Sequence, residues 1–212
     1  MTNRLEKIFS QIPSCKVFAD IGCDHGYIAK AMLDLNKAEK VIIADVSAKC
    51  LSKAEELLSD YISCGRAESK VSDGFDNVGE CSVALIAGMG GEEIVNILTK
   101  AKNLPEKLVL QPMKNCDKVR YLVVELGYRI EKDFLFKAGG KFYDLIVLVK
   151  GKDVLTKDEA EFGRDNLNNK NADFIEMIKN KIDKYEEYLV GITDGEKKQG
   201  LKAQIERLSK YV

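Results

Sequence analysis

Histidine occurs once in these 212 residues, and none of the six cysteines (Cys15, Cys23, Cys50, Cys64, Cys81, Cys116) forms a CxxC pair with another. Zinc sites draw on clustered His and Cys, so no metal is expected and the thiols read as reduced and mostly buried. No stretch approaches the roughly 20 apolar residues that a membrane span needs. Residues 1–14 lack the apolar run of a signal peptide. These absences make a cytoplasmic protein without a membrane partner the expectation. Neither sign of charge dominates, since 33 Lys and Arg face 34 Asp and Glu. Composition therefore does not by itself point to a polyanionic partner. One local excess stands out: between residues 100 and 120, Lys100, Lys102, Lys107, Lys114, Lys118 and Arg120 face only Glu106 and Asp117. Such a run is a solvated face unless it borders a cleft, where it could hold phosphates.

What is present is an alternation. Apolar runs at 16–21, 41–44, 70–71, 82–87 and 108–110 read as strands. Helical patterns at 26–35, 48–63, 92–102 and 116–126 lie between or after them. Buried strands alternating with helices make a parallel sheet covered on both faces. The rhythm then changes: 128–136 and 142–149 are two strands joined by Ala138-Gly139-Gly140-Lys141, with no helix between them. A closing hairpin places one antiparallel strand in a parallel sheet. That feature separates the methyltransferase variant of the doubly wound, Rossmann-like fold from the dinucleotide-binding one.

Beyond residue 151 the strand signals stop. Ile175, Ile178, Ile182, Tyr185 and Leu189 are spaced three, four, three and four, and Leu201, Ile205, Leu208 and Val212 continue the pattern. Each set is a coiled-coil-like stripe. Thr193-Asp194-Gly195 between them predicts a turn, hence an antiparallel helical hairpin. A shorter helix over 157–167 begins at Thr156, with Glu159 three residues on as a capping box. The boundaries predicted are 1–151 for an α/β domain and 152–212 for a helical domain. The helical part reads as packing, as a substrate arm or as a dimerisation element, with a monomer expected first.

Four motifs fall at the carboxyl ends of consecutive strands, where ligands of open α/β sheets bind. Asp20-Ile-Gly-Cys-Asp-His-Gly-Tyr27 contains Gly22, which lets backbone approach a ligand, and Gly26, which opens the next helix. Asp20 could accept from a ligand ammonium group. Asp45, with Val46 beside it, lies about 20 residues further on, where a carboxylate accepts both hydroxyls of a ribose. Ser72-Asp73-Gly74 offers Asp73 to an adenine amino group, and Ala87-Gly88-Met89-Gly90-Gly91 forms the fourth turn. Cys23 and His25 would face the same cofactor, His25 with either a structural or a titrating role. The absence of GxGxxG argues against a nicotinamide-dependent dehydrogenase.

Phe18-Ala-Asp-Ile-Gly-Cys-Asp-His-Gly-Tyr27, Ile86-Ala-Gly-Met-Gly-Gly91, Leu110-Gln-Pro-Met113 and Gly140-Lys-Phe-Tyr143 together resemble the bacterial tRNA (adenine-N1)-methyltransferase family that modifies position 22. The resemblance spans the chain, since that family also ends in a helical, coiled-coil-like domain. It lacks the Asn/Asp-Pro-Pro-aromatic segment of amino-nitrogen methyltransferases. The resemblance implies S-adenosyl-L-methionine as cofactor and tRNA as partner.

The N1 of adenine has a free lone pair at neutral pH, so such an enzyme needs positioning and tolerance of a developing cation. Asp24 is the first candidate to face the base and Glu92 the second, although Glu92 also suits the first turn of a helix. Tyr27, Gly90, Gly91, Met113 and Tyr143 are candidate pocket walls. Lys114, Lys118 and Arg120 are candidate phosphate contacts. The alternatives are an S-adenosylmethionine-dependent methyltransferase of another substrate and a non-enzymatic RNA-binding protein on the same scaffold.

Overall fold

Runs of Val, Ile, Leu and Ala that are apolar on both faces can be buried only in the middle of a layered sheet. They become β1 (Cys15–Ile21), β2 (Ala38–Asp45), β4 (Val83–Met89) and β5 (Lys107–Pro112) of one seven-stranded sheet, which the more polar β3 (Ala67–Val71) joins at its edge. The structure, a computed structural model, describes residues 1–212. β6 (Tyr128–Ala138) and β7 (Lys141–Lys150) complete the order β3-β2-β1-β4-β5-β7-β6. β7 alone runs antiparallel to its neighbours. The predicted sheet and its closing hairpin are therefore present, a Rossmann-like α/β architecture.

Side chains alternate across the pleat. Phe18, Val41 and Ile43 enter one apolar layer with Met32 and Leu33, whereas Ala19, Ile42 and Ala44 enter the opposite layer with Ile94 and Leu98. The layers are closed by α2 (Tyr27–Asp34), α3 (Ala48–Leu57), α4 (Ser59–Ser63), α5 (Gly91–Lys100) and α6 (Cys116–Glu125). Strand order reverses beside β1: the chain steps from β1 through β2 to β3 on one side, and lays β4 and β5 on the other. A crevice opens at the carboxyl ends of the strands at such a switch point.

Two helices differ from expectation. The helical pattern over 48–63 divides at Leu58, whose fully buried side chain ends α3 and begins α4. The pattern over 157–167 divides into α7 (Lys157–Phe162) and α8 (Arg164–Asn169) at Gly163, with φ +85°. A Cβ there would lie 2.8 Å from Asp133 Oδ1 and 3.0 Å from an Arg120 nitrogen. The capping box of Thr156 and Glu159 is present. An N-terminal helix, α1 (Asn3–Gln11), was not anticipated. Leu5, Ile8, Phe9 and Ile12 fall at helical spacing, and Ile8 and Ile12 are buried under the sheet.

α9 (Ala172–Gly191) and α10 (Gly195–Ser209) form the hairpin, with Asp194 as N-cap of the second helix. Its base is a small cluster of Phe162, Phe174, Ile178 and Leu208. Phe174, one residue before the predicted Ile175, is the buried anchor. Towards the tip Tyr188 and Val190 are exposed.

The helical segment meets the sheet along the outer edge of β6. Four amides that no strand can take are accepted by side chains: Ile130 N donates to Asp153 at 3.0 Å and Asp133 N to Asp165 at 2.9 Å. Leu135 N donates to Asn166 at 2.8 Å, and Lys137 N to Asp173 at 3.0 Å. Beneath that edge Arg120 is fully buried. It donates to both Asp133 oxygens (2.8 and 2.7 Å), to Asp144 (2.5 Å) and to the Ala160 carbonyl (3.1 Å).

Candidate active site

Three left-handed residues in five bend the chain sharply after β1: Gly22 (φ +71°), Asp24 (φ +47°) and Gly26 (φ +70°). At Gly22 a Cβ would collide with the Met89 side chain, so the β1 and β4 turns close over the same space. Gly26 lies against α3, where a Cβ would be 2.9 Å from that of Ala54. Asp24 has no such excuse as a side-chain-bearing residue; holding it there costs on the order of 1 kcal/mol. Its carboxylate lies 2.7 Å from His25 Nδ1, and the His25 ring stacks parallel to Tyr27 with centroids 5.5 Å apart.

These turns border a cavity of about 550 Å³. The β1 turn contributes Asp20, Gly22, Cys23, Asp24, His25 and Tyr27, and the end of β2 contributes Asp45 and Val46. Asp73 and Gly74 follow β3, and Ala87, Gly88 and Met89 end β4. All three strand-end aspartates therefore converge on one space.

Asp20 is almost completely buried, and its carboxyl is pushed up to about 7, first by burial and then by the charge of Asp45, against a hydrogen bond from the Ala29 amide. Asp45 Oδ1 accepts from Ser47 N at 2.8 Å, and Oδ2 has no protein partner. Asp73 pairs with Lys100 at 3.3 Å in an exposed contact. Burial and the surrounding carboxylates push the Cys23 thiol far up, which removes it as a nucleophile at neutral pH. No group of three or more His, Cys, Asp or Glu side chains is placed to hold a metal ion.

Several predicted residues lie elsewhere. Arg120 cannot grip a phosphate, because its guanidinium is buried and saturated by two aspartates and a helix-end carbonyl. Glu92 faces solvent in a 2.8 Å pair with Lys118, and its neighbour Glu93 lines the cavity instead. Tyr143 packs against Phe136 with ring centroids 5.7 Å apart and does not line the cavity. Gly91 is outside the lining too; it abuts the Lys114 and Asn115 carbonyls, where no Cβ would fit. Gly26, Gly90, Lys114 and the half-exposed Met113 are neighbours of the cavity rather than walls.

Thr2, Arg4 and Leu5 of the unanticipated α1 segment, with Glu93 and Ile97 of α5, complete the wall. The helical spacing of Leu5, Ile8, Phe9 and Ile12 is the signal that would have found the first three. The lining holds five carboxylates (Asp20, Asp24, Asp45, Asp73, Glu93) against one permanent cation, Arg4. Such a charge balance favours a cationic ligand.

Comparison with known proteins follows the same lines. Residues 1–146 match the family described as "Methyltransferase domain". A Mycoplasma pneumoniae protein named "Putative tRNA methyltransferase" is 32% identical over 155 residues, 70% of this chain and 71% of its own length. The Bacillus subtilis tRNA (adenine(22)-N(1))-methyltransferase is 27% identical over 156 residues, 71% of this chain and 66% of its own. The fold of Mycoplasma capricolum TrmK, solved with S-adenosyl-homocysteine, superposes with a TM-score of 0.88 at 24% identity, covering 100% of this chain and 97% of that one.

Proposed function

The chain belongs to the methyltransferase-domain family, and from that premise we propose that it transfers a methyl group from S-adenosyl-L-methionine to N1 of adenine 22 in tRNA. The observation that carries the reading is the convergence of Asp20, Asp45 and Asp73 on one acid-rich cavity. The named activities of the Mycoplasma pneumoniae and Bacillus subtilis relatives support the substrate.

The residues fit the donor. An excess of carboxylates complements its positive charge, and the free Asp45 oxygen suits a ribose diol. When bound, the donor supplies an electrophilic methyl group on a sulfonium sulfur. In this reading Asp20 holds the ammonium group, Asp45 the ribose hydroxyls and Asp73 the adenine edge. Asp24, fixed by its strained turn and by His25, presents a carboxylate that can hydrogen-bond the target's amino group and offset charge developing on the base. No side chain has to remove a proton from N1, so the protein's task is orientation and exclusion of water.

N1 lies on the pairing edge of the base, so the target adenine must leave its stack, which costs about a few kcal/mol. Residues 1–151 would bind donor and base. The helical unit 152–212 and the exposed Lys114 and Lys118 would contact the rest of the tRNA.

The test is incubation with unmodified tRNA and isotope-labelled donor, followed by mapping of the modified nucleoside by mass spectrometry. Labelled N1-methyladenosine at position 22 is the expected product. Label in another nucleoside would overturn the substrate assignment, and absence of tRNA-dependent incorporation would overturn the activity.

A further inference from the structure

Arg4 is a cation without a carboxylate partner on the wall of a cavity that five carboxylates also line. Its Nε donates to Gln111 Oε1 at 2.9 Å, and Gln111 is itself fully buried with its amide nitrogen committed to the Pro112 carbonyl. The guanidinium carbon stands 5.4 Å from the centre of the Tyr143 ring. Gly88 permits this placement: it has φ +81°, and a Cβ there would lie 2.8 Å from Arg4 Nη2.

Arg4 is therefore held by one nitrogen and one aromatic face, while Nη1 and Nη2 donate to nothing in the protein. Arginine's fork is suited to gripping a carboxylate or phosphate with two nitrogens. Its position reinforces the point. Arg4 lies in the first turn of α1, where the helix dipole disfavours a cation and favours an anion beside it.

Asp20 is the complement: a buried carboxylate lining the same cavity without an ion-pair partner. We propose that Arg4 binds the α-carboxylate of the methyl donor while Asp20 takes its α-ammonium group, so that the two uncompensated side chains recognise a zwitterion. The assignment rests on the donor reading above and extends it to a residue outside the four glycine and aspartate motifs. An RNA phosphate is the other anion a guanidinium could take. Two opposite charges left open in one cavity fit an amino-acid end better than a lone phosphodiester.

Calorimetry on the full chain, with S-adenosylmethionine and its decarboxylated analogue, tests this directly. Wild type should prefer the carboxylated ligand by about ten- to hundredfold, the range of a charge-assisted double hydrogen bond. Arg4→Ala should lose that preference by weakening S-adenosylmethionine binding while leaving the decarboxylated analogue unchanged, which also shows that the variant is folded. Arg4→Lys should keep part of the preference.

Equal weakening of both ligands by Arg4→Ala would overturn the proposal in favour of a role in shaping the cavity. Unchanged affinity for both, with a raised KM for tRNA, would assign Arg4 to a phosphate instead. Failure of wild type to bind either ligand would bring down the donor reading itself, a separate and recognisable outcome.

Discussion

Two arginines, Arg4 and Arg120, sit about as far apart in chemistry as one protein allows. Arg120 spends its donors on Asp133, Asp144 and the α7 carbonyls, and no part of it is exposed. Arg4 uses Nε alone and leaves two nitrogens open to a cavity. The aspartates divide in the same way. Asp133 is matched by a guanidinium, whereas Asp20 is buried beside another carboxylate without an ion-pair partner. Saturation marks a group that holds the fold, and missing partners mark a group kept for a ligand. The interior around β6 and the cavity beside β1 are two answers to the cost of burying charge.

The sharpest break of this contrast is Arg120→Ala. It leaves Asp133 buried and uncompensated, so stability should fall by about 3–5 kcal/mol, measured by urea unfolding. A loss below about 1 kcal/mol would show that the network is slack.

Asp45→Ala should do the reverse, leaving the unfolding midpoint nearly unchanged while weakening S-adenosylmethionine binding by about tenfold to a hundredfold. Unchanged affinity by calorimetry would remove Asp45 from the site.

The third effect is a pH dependence. A cationic ligand prefers ionised Asp20, whose carboxyl titrates near 7 without ligand. Above that pH the group is already charged and affinity should level off. Below it, binding must release a proton, and affinity should fall by up to about tenfold per pH unit. Asp20→Asn should flatten the slope. A slope that survives would belong to another group at the cavity.

The smallest effect is expected from Glu92→Gln, which breaks only an exposed pair with Lys118. Neither the melting temperature nor the single-turnover rate should move, and a slower turnover would restore Glu92 to the reaction.

The sheet was legible because its central strands β1, β2, β4 and β5 are short apolar runs, and because the hairpin after residue 127 breaks the strand–helix alternation. The strand-end aspartates were legible because parallel sheets place ligand contacts at one edge. Arg120 was misread as part of a basic run. Its burial depends on Asp133 and Asp144, 13 and 24 residues away, and nothing local announces that pairing. Glu92 and Glu93 are neighbours on α5 about 100° apart around the helix axis. Choosing between them needs the helix rotation, which the sequence leaves open at its first turn. Arg4 went unread because polar residues hid a one-sided apolar spacing in α1.

The row of side chains along β6 has a practical consequence for anyone dividing this chain. Asp153, Asp165, Asn166 and Asp173 all come from beyond residue 151. A fragment ending at 151 would carry a bare outermost ribbon of amide donors, a template on which a second molecule can add its own strand. Such a fragment should form soluble oligomers or precipitate at concentrations where the full chain stays dispersed, as light scattering would reveal. The helices therefore serve as a chaperone-like cover for the sheet, and their contribution to tRNA contact is best probed by point changes at the hairpin tip rather than by deletion.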